Sequence, residues 1–356
     1  MKAAIVGAGV IGRLLALLLV NNGHEISIFD QDGDDGIKSC SMAAAGLLTP
    51  VTELDKSDIL IYELGMLAIA QHWPTILNVL QSPIYFQQMG SLAVTHPKDH
   101  AEMDHFISFI SEKLKNNPMA FKKLDQSMML QLEPGLSKFT YAYYFPKEGQ
   151  IDNQAVLTEL KQWLHAKHVM WYSHTFVEHV QAFEVHYHQS CMKFDMVFDC
   201  RGIGAKSIFH DLQGVRGELI WLYAPHVKIA HPVRFLHPRY SLYVVPRPNH
   251  IYLIGASEIL SEDQCAISVR TTLELLTAAY YLHPGFAEAT ILKTVTHCRP
   301  TLSHYLPKIK YADGFIAVNG LYRHGFLIAP TLVIEIMRWL TKGISSLQYA
   351  QLWEQL

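Results

Sequence analysis

Cysteine is scarce and scattered. The 356-residue chain has five (Cys40, Cys191, Cys200, Cys265 and Cys298), an odd number with no CxxC pair. That excludes a disulfide framework and suits a reducing compartment, so the expected location is the cytoplasm. Excess charge of either sign is missing too. Lys+Arg 29 against Asp+Glu 32 leaves a net charge of −3, and only 17% of residues are charged. A chain that binds nucleic acid through bulk electrostatics would be basic, so no nucleic-acid partner is expected. Half of the residues are hydrophobic, which excludes a disordered chain. With Gly 21 and Pro 16, the chain is neither collagenous nor of low complexity. No internal repeat or linker is visible. At roughly 100–200 residues per domain, the length predicts two domains, or one with large insertions.

Long apolar runs are also absent, with one exception. Ala3 to Val20 is nearly all apolar, interrupted by Arg13. A secretory signal would want a basic leading region and a small-residue cleavage site. Here only Lys2 precedes the run, and Asn21-Asn22-Gly23 follows it. The stretch reads instead as two buried elements joined by a tight turn, and no membrane span is expected.

That turn is Gly7-Ala8-Gly9-Val10-Ile11-Gly12. A Val/Ile-rich strand (Lys2 to Val6) precedes it, and a helix (Arg13 to Asn22) follows, with Gly23 at the C-terminal cap position. Glu25 to Phe29 alternates like a second strand and ends at Asp30. Each part has a physical task. Gly7 permits the turn, Gly9 lets the backbone approach a pyrophosphate, and Gly12 lets helix and strand pack closely. The helix N-terminus offers free N–H groups to the phosphates, with Val10 and Ile11 beside them. Asp30 stands where it can accept from a ribose hydroxyl. A G-x-G-x-x-G alone is weak evidence. The strand, the helix and the acid together make it a dinucleotide site, without choosing between nicotinamide and flavin.

The next segment, Ser39-Cys40-Ser41-Met42-Ala43-Ala44-Ala45-Gly46-Leu47-Leu48, is a run of small residues. Small side chains let the backbone lie close to a large planar ring; a plain Ala-rich helix start is the bland alternative. GAGVIG, Asp30 and SMAAAGLL together resemble the D-amino-acid oxidase superfamily of flavoproteins. Within it, the chain is most similar to the glycine oxidase branch linked to thiamine biosynthesis. Further matches follow in the family's order, nearly end to end. They are Gly90-Ser91-Leu92-Ala93-Val94, Glu148-Gly149-Gln150-Ile151-Asp152, Asp199-Cys200-Arg201-Gly202-Ile203-Gly204-Ala205 and Gly217-Glu218-Leu219. After these come His237-Pro238-Arg239-Tyr240, Tyr243-Val244-Val245-Pro246-Arg247, Gly255-Ala256-Ser257, Arg299-Pro300-Thr301 and Gly320-Leu321-Tyr322-Arg323-His324-Gly325-Phe326.

The resemblance implies an α/β fold, with a Rossmann-type FAD-binding domain interleaved with a mixed-sheet α+β substrate domain. Residues 1–82, 146–213 and 299–356 would form the first, and 83–145 and 214–298 the second. The sequence supports the interleaving. Phe194 to Phe198, before Gly202 and Gly204, and Phe315 to Val318, before Gly320, each read as a further strand for the first sheet. Asp104 to Lys115 and Thr271 to Tyr281 read as helices within the insertions. A last helix is expected to begin around Pro330.

The resemblance also assigns roles. FAD, held without a covalent bond, would contact Gly7, Gly9, Val10, Ile11, Gly12, Asp30, Ser41, Ala44, Ala45, Gly46, Leu47, Val177 and Gly202, and the loop Arg323-His324-Gly325-Phe326-Leu327. Val177 would hold the adenine through its backbone. Arg299 and Tyr243 are the catalytic pair. The planar fork of an arginine suits a carboxylate, and the Tyr243 hydroxyl would assist. The implied reaction oxidises glycine, or another small amino acid, to its imine. O2 is then reduced to peroxide, and the imine supplies a thiazole synthase of thiamine synthesis. The alternative is a D-amino-acid or N-methyl-amino-acid enzyme that passes electrons to a quinone. Ser303-His304 stands where the family often has Pro-Asp, which bears on substrate preference. Family habit implies a homo-oligomer.

Twenty histidines are the odd feature of the composition. The densest set, His179, His186 and His188, lacks a cysteine pair or an HxxxH, so no metal is expected. Cys298 reads as a buried thiol, although some relatives attach flavin through a cysteine in this part of the chain. His297, His304 and His324 flank the assigned site, and His324 is the first choice to line it.

Overall fold

Lys2–Val6 forms strand β1, Val10–Asn21 forms helix α1 and Glu25–Phe29 forms strand β2. The structure is a computed structural model that describes every residue except Gln81, Asn116, Pro238 and Arg239, and the side chains of Tyr240 and Ser241. The expected family match at His237-Pro238-Arg239-Tyr240 therefore lies partly outside the described residues.

Strand β1 is central. Met196–Asp199 and β2 flank it, both parallel, and Ala3, Ala4 and Ile5 are fully buried. A strand covered on both faces has no polar side, which explains the unbroken apolar run. A Cβ on Gly12 would sit 2.0 Å from the Gly7 carbonyl oxygen, so α1 can approach β1 only with glycine there. Arg13, the one charge in the run, is buried. Its guanidinium donates to the carbonyls of Ala8, Leu157 and Asp34 at 2.7, 2.8 and 2.8 Å. Burial draws its pKa down to about 10, which still leaves it charged at neutral pH.

The first sheet has seven strands in the order Trp353–Gln355, Lys308–Ala312, Phe315–Asn319, Met196–Asp199, β1, β2 and Met170–Tyr172. The expected strands near 194 and 315 both join it in parallel. The second large sheet is mixed and has nine strands. Ser91–Thr95, Lys122–Asp125 and Tyr141–Phe145 come from one insertion. The long strands Gln213–Tyr223 and Thr290–Thr301, with Tyr240–Arg247 between them in sequence, come from the other. Ser91–Thr95 meets Val233–His237 in parallel, which stitches the two insertions into one sheet. The helix Val269–Leu282 packs its Leu275, Ala278, Ala279 and Leu282 into the apolar core of this sheet.

The last long helix corrects an expectation. It spans Gly325–Lys342, so it begins five residues before Pro330, and the proline sits inside it. Proline has no N–H and leaves the carbonyl four residues back, that of Phe326, without its helical donor. The Trp73 indole donates to that oxygen at 2.9 Å, which lets the helix run through the proline. Among the described residues, no helix is long and apolar enough to cross a membrane.

Candidate active site

A cavity of about 530 Å³ is lined by residues of both large sheets, a size that suits a cofactor with a small substrate. All but two of the expected cofactor and substrate residues line it. Gly12 is one exception, because it packs against Gly7 instead. Val177 is the other. It begins the strand Val177–Gln181, and its side chain is buried in the core beside Phe29.

The nucleotide end follows from local structure. Helix α1 starts at the cavity with Gly9 as its N-cap, without a side-chain cap and without an acid in its first turn. Its positive end and the leading N–H groups beyond Val10 are therefore offered to an anionic ligand. Ser41 accepts from the Val10 N–H at 3.0 Å and fixes the small-residue segment against the turn. Asp30 lines the cavity with its carboxylate braced by the N–H groups of Ala8 at 2.5 Å and Asp32 at 2.8 Å. Burial pushes its pKa up. Gly46 has a φ of +64°, and a Cβ there would sit 2.0 Å from the Ile151 carbonyl oxygen, so the small segment needs its glycine. These residues fit a dinucleotide whose pyrophosphate would lie at the helix start.

At the other end, Arg299 lies near the end of the strand Thr290–Thr301, beside the strand Gln213–Tyr223. Its Nη1 donates to the Ser257 carbonyl at 3.1 Å. Tyr243 lines the same cavity. Burial and the carboxylate of Glu53 raise its pKa against the pull of Arg299 and Arg323, so the phenol keeps its proton at neutral pH. Arg323 Nε is 2.6 Å from Glu53 Oε2, and its Nη1 is 3.5 Å from Glu258 Oε2. Burial opposes its charge, but Glu53 and its other neighbours outweigh this and raise its pKa. His324 is buried, with Nδ1 at 3.7 Å from Glu53. Burial and the two arginines hold it well below the usual imidazole range, so it is neutral and a weak base.

The sequence did not single out Glu53, Glu258 or Lys56. They lie in turns without periodicity, and only folding brings them to Arg323. Glu53 is presented by a turn that a buried acid holds. Glu148 Oε1 accepts the N–H groups of Val51 and Thr52, both at 2.7 Å, and Ser91 Oγ donates to Oε2. Burial pushes the Glu148 pKa up to about 7, against these donors.

The flanking residues part company. His297 lines the cavity. Its two ring nitrogens face the carbonyls of Lys38 at 2.7 Å and Cys298 at 3.1 Å. Burial opposes its charge, but Cys40 and these carbonyls raise its pKa to about 9, and two acceptors suit an imidazolium. His304 is exposed and does not line the cavity. Ser303 is tied to Asp211 by its N–H at 3.1 Å and its hydroxyl at 2.8 Å. The Cys298 thiol points to the carbonyls of Ser261 and Asp263, at 3.6 and 3.8 Å. The histidine-rich hairpin holds a grouping that the sequence hides. Across strands, Cys191 meets His186, and with Glu184 their ligand atoms lie within 4.8 Å of one another. Glu184 already takes Gln181 at 2.7 Å and stands 3.8 Å from Lys193.

Comparison with known proteins agrees with this architecture. A Rhizobium etli protein with the provisional name thiamine biosynthesis oxidoreductase ThiO is 32% identical over 339 residues, covering 95% of this chain and 96% of that one. The glycine oxidase of Geobacillus kaustophilus shares the fold at a TM-score of 0.84 and 20% identity, over 99% of this chain and 98% of that one. The iminodiacetate oxidase of Chelativorans sp. BNC1 does so at 0.84 and 21%, over 99% of each chain. The family of FAD dependent oxidoreductases named DAO matches residues 2–333. The chain belongs to this family of FAD-dependent oxidoreductases.

Proposed function

We propose that the chain is a glycine oxidase that acts on glycine or a comparably small amino acid. The overall reaction is glycine + O2 + H2O → glyoxylate + NH3 + H2O2, through an imine that can instead pass to a thiazole synthase. The observation that carries the reading is the placement of Arg299 and Tyr243 in one cavity with a dinucleotide-binding turn.

Arg299 binds the substrate carboxylate through charge-assisted hydrogen bonds, and protonated Tyr243 donates a further one. Fixing the carboxylate orients the α-carbon, and orientation supplies much of the catalysis when the hard chemistry is a cofactor's. The amine binds deprotonated, and no general base is assigned. Glu53 is committed to Arg323, and His324 is a weak base. FAD, when bound, supplies the two-electron acceptor. It would lie along Gly7 to Gly12, Asp30, Ser41 to Leu47 and Gly202, with Arg323 to Leu327 beside it and the adenine near Val177. The attachment is non-covalent, in keeping with a Cys298 thiol engaged by two carbonyls. The FAD-binding segments are 1–82, 146–213 and 299–356, and the substrate segments are 83–145 and 214–298. The enzyme works in the cytoplasm.

An oxygen electrode with the purified yellow protein tests the reading. Peroxide release with glycine, faster than with D-alanine, is expected. Flavin bleaching without oxygen uptake would point to a dehydrogenase that passes electrons to a quinone. No bleaching with any amino acid would end the amine-oxidation reading.

A further inference from the structure

Two arginines at the substrate end of the cavity, Arg299 and Arg323, differ in one respect. Arg323 stands between two carboxylates, Glu53 at 2.6 Å and Glu258 at 3.5 Å. Arg299 donates to the Ser257 carbonyl at 3.1 Å and has no ion pair among the described residues. The short segment after the strand Ile251–Gly255 does the sorting. Ser257 gives its carbonyl to Arg299, and Glu258 gives its carboxylate to Arg323.

Glu258 is held from three sides. The Tyr322 hydroxyl donates to Oε1 at 2.5 Å, Lys56 Nζ approaches Oε2 at 3.4 Å, and Arg323 Nη1 lies at 3.5 Å from that oxygen. A phenol, an ammonium and a guanidinium that converge on one carboxylate are the donors of an anion site. Here the protein's own side chain fills it. Tyr322 is itself fixed, with a φ of +50° and its N–H on the Pro300 carbonyl at 3.0 Å, one residue from Arg299. The donors keep Glu258 ionised against its partial burial, and its pKa is lowered.

Glu258 is exposed and does not itself line the cavity, but the Tyr322 and Arg323 it touches do. We infer that Glu258 occupies an anion subsite on the outer side of Arg323, at the edge of the cavity, and so restricts the enzyme to amine substrates with a single carboxylate. The inference rests on the amine-oxidation reading above. Arg299 takes the first carboxylate. A second one reaching toward Arg323 meets Glu53 and Glu258, and like charges brought together without a free cation repel. Selection against the wrong ligand by a built-in repulsive group is a known route to specificity.

The test compares sarcosine, with one carboxylate, and iminodiacetate, a secondary amine with two, on the FAD-loaded enzyme. In the wild type, kcat/KM for iminodiacetate is expected to fall well below that for sarcosine. Glu258→Gln removes the charge, and the iminodiacetate-to-sarcosine ratio should rise about tenfold, mostly through KM. Glu258→Ala removes the carboxylate as well and should move the ratio the same way; it serves if Glu258→Gln does not fold. A second readout needs no turnover: perturbation of the bound-flavin absorption by malonate against acetate. Malonate should bind more tightly to Glu258→Gln than to the wild type, with acetate changing less. If the wild type takes iminodiacetate as readily as sarcosine, or if neither ratio moves in the variants, the inference is wrong while amine oxidation stands. If no amine is oxidised, the functional reading fails, and the malonate comparison still decides whether the subsite exists.

Discussion

The guanidinium of Arg299 lies against the α-carbon of Gly217 on the neighbouring strand, so closely that a Cβ there would sit 2.3 Å from Nη2. Gly217 is therefore the floor on which the arginine rests, and on the proposed reading its missing side chain would set where a bound carboxylate can lie. Gly217→Ala should displace Arg299 and raise KM for the amino acid by about tenfold, since small misplacements in a site cost rate steeply. Steady-state kinetics beside an unchanged flavin spectrum would check it. An unchanged KM would mean that Arg299 does not hold the carboxylate in this position.

Arg299→Ala removes the charged anchor itself. A hydrogen bond to a charged group contributes about 1.5–3 kcal/mol, so kcat/KM should fall roughly 10- to 150-fold. The bound-flavin spectrum should survive. Loss of flavin would place the residue at the cofactor instead of the substrate.

Glu148 links pH to stability. Its carboxyl has an ordinary value of 4.5, raised to about 7 by complete burial in the fold. Between these values the folded chain holds a proton that the unfolded chain has released. Stability contributed by this group is therefore present at low pH and is lost as pH rises through about 7. Inside the window the slope is at most about 1.4 kcal/mol per pH unit. Glu148→Gln keeps an acceptor for the N–H groups of Val51 and Thr52 but does not titrate. The difference between the two proteins in urea unfolding should shrink toward acid pH. A constant difference from pH 5 to 8 would contradict the assignment.

Trp73→Phe would leave the Phe326 carbonyl without a donor, four residues before Pro330. A buried unsatisfied carbonyl costs about 1–3 kcal/mol, beyond the small change in packing. Thermal or urea unfolding of the FAD-loaded protein measures it. Because Phe326 lines the cavity, slower regain of flavin after its removal is expected as well.

The nucleotide end of the molecule was readable because its physics is local. Gly7, Gly9 and Gly12 are adjacent in sequence and act on one turn, one helix start and one packing contact. The apolar run of β1 follows from its burial on both faces; β2 alternates in sequence, yet Ile26 to Phe29 are all buried, Ser27 among them. The start of the last helix was misplaced because Pro330 ordinarily marks a first turn. The rescuing donor, Trp73, lies 253 positions before Phe326, to whose carbonyl it donates.

At the proposed substrate end, the structure brings the two residues picked from sequence, Arg299 and Tyr243, to one cavity. Arg299 and Tyr243 could be named from their own functional groups and the resemblance of their surroundings. Sequence alone also determined the glycine turn between β1 and α1 and the absence of a long membrane-spanning run. What surrounds Arg323 was decided by tertiary structure. Glu53, Lys56 and Glu258 stand in irregular segments with no period to mark a buried face. Their charges gain meaning only through distances of 2.6 to 3.5 Å set by Glu148, Ser257 and Tyr322. Coulomb energies depend on separation and burial, and neither is written in the order of residues.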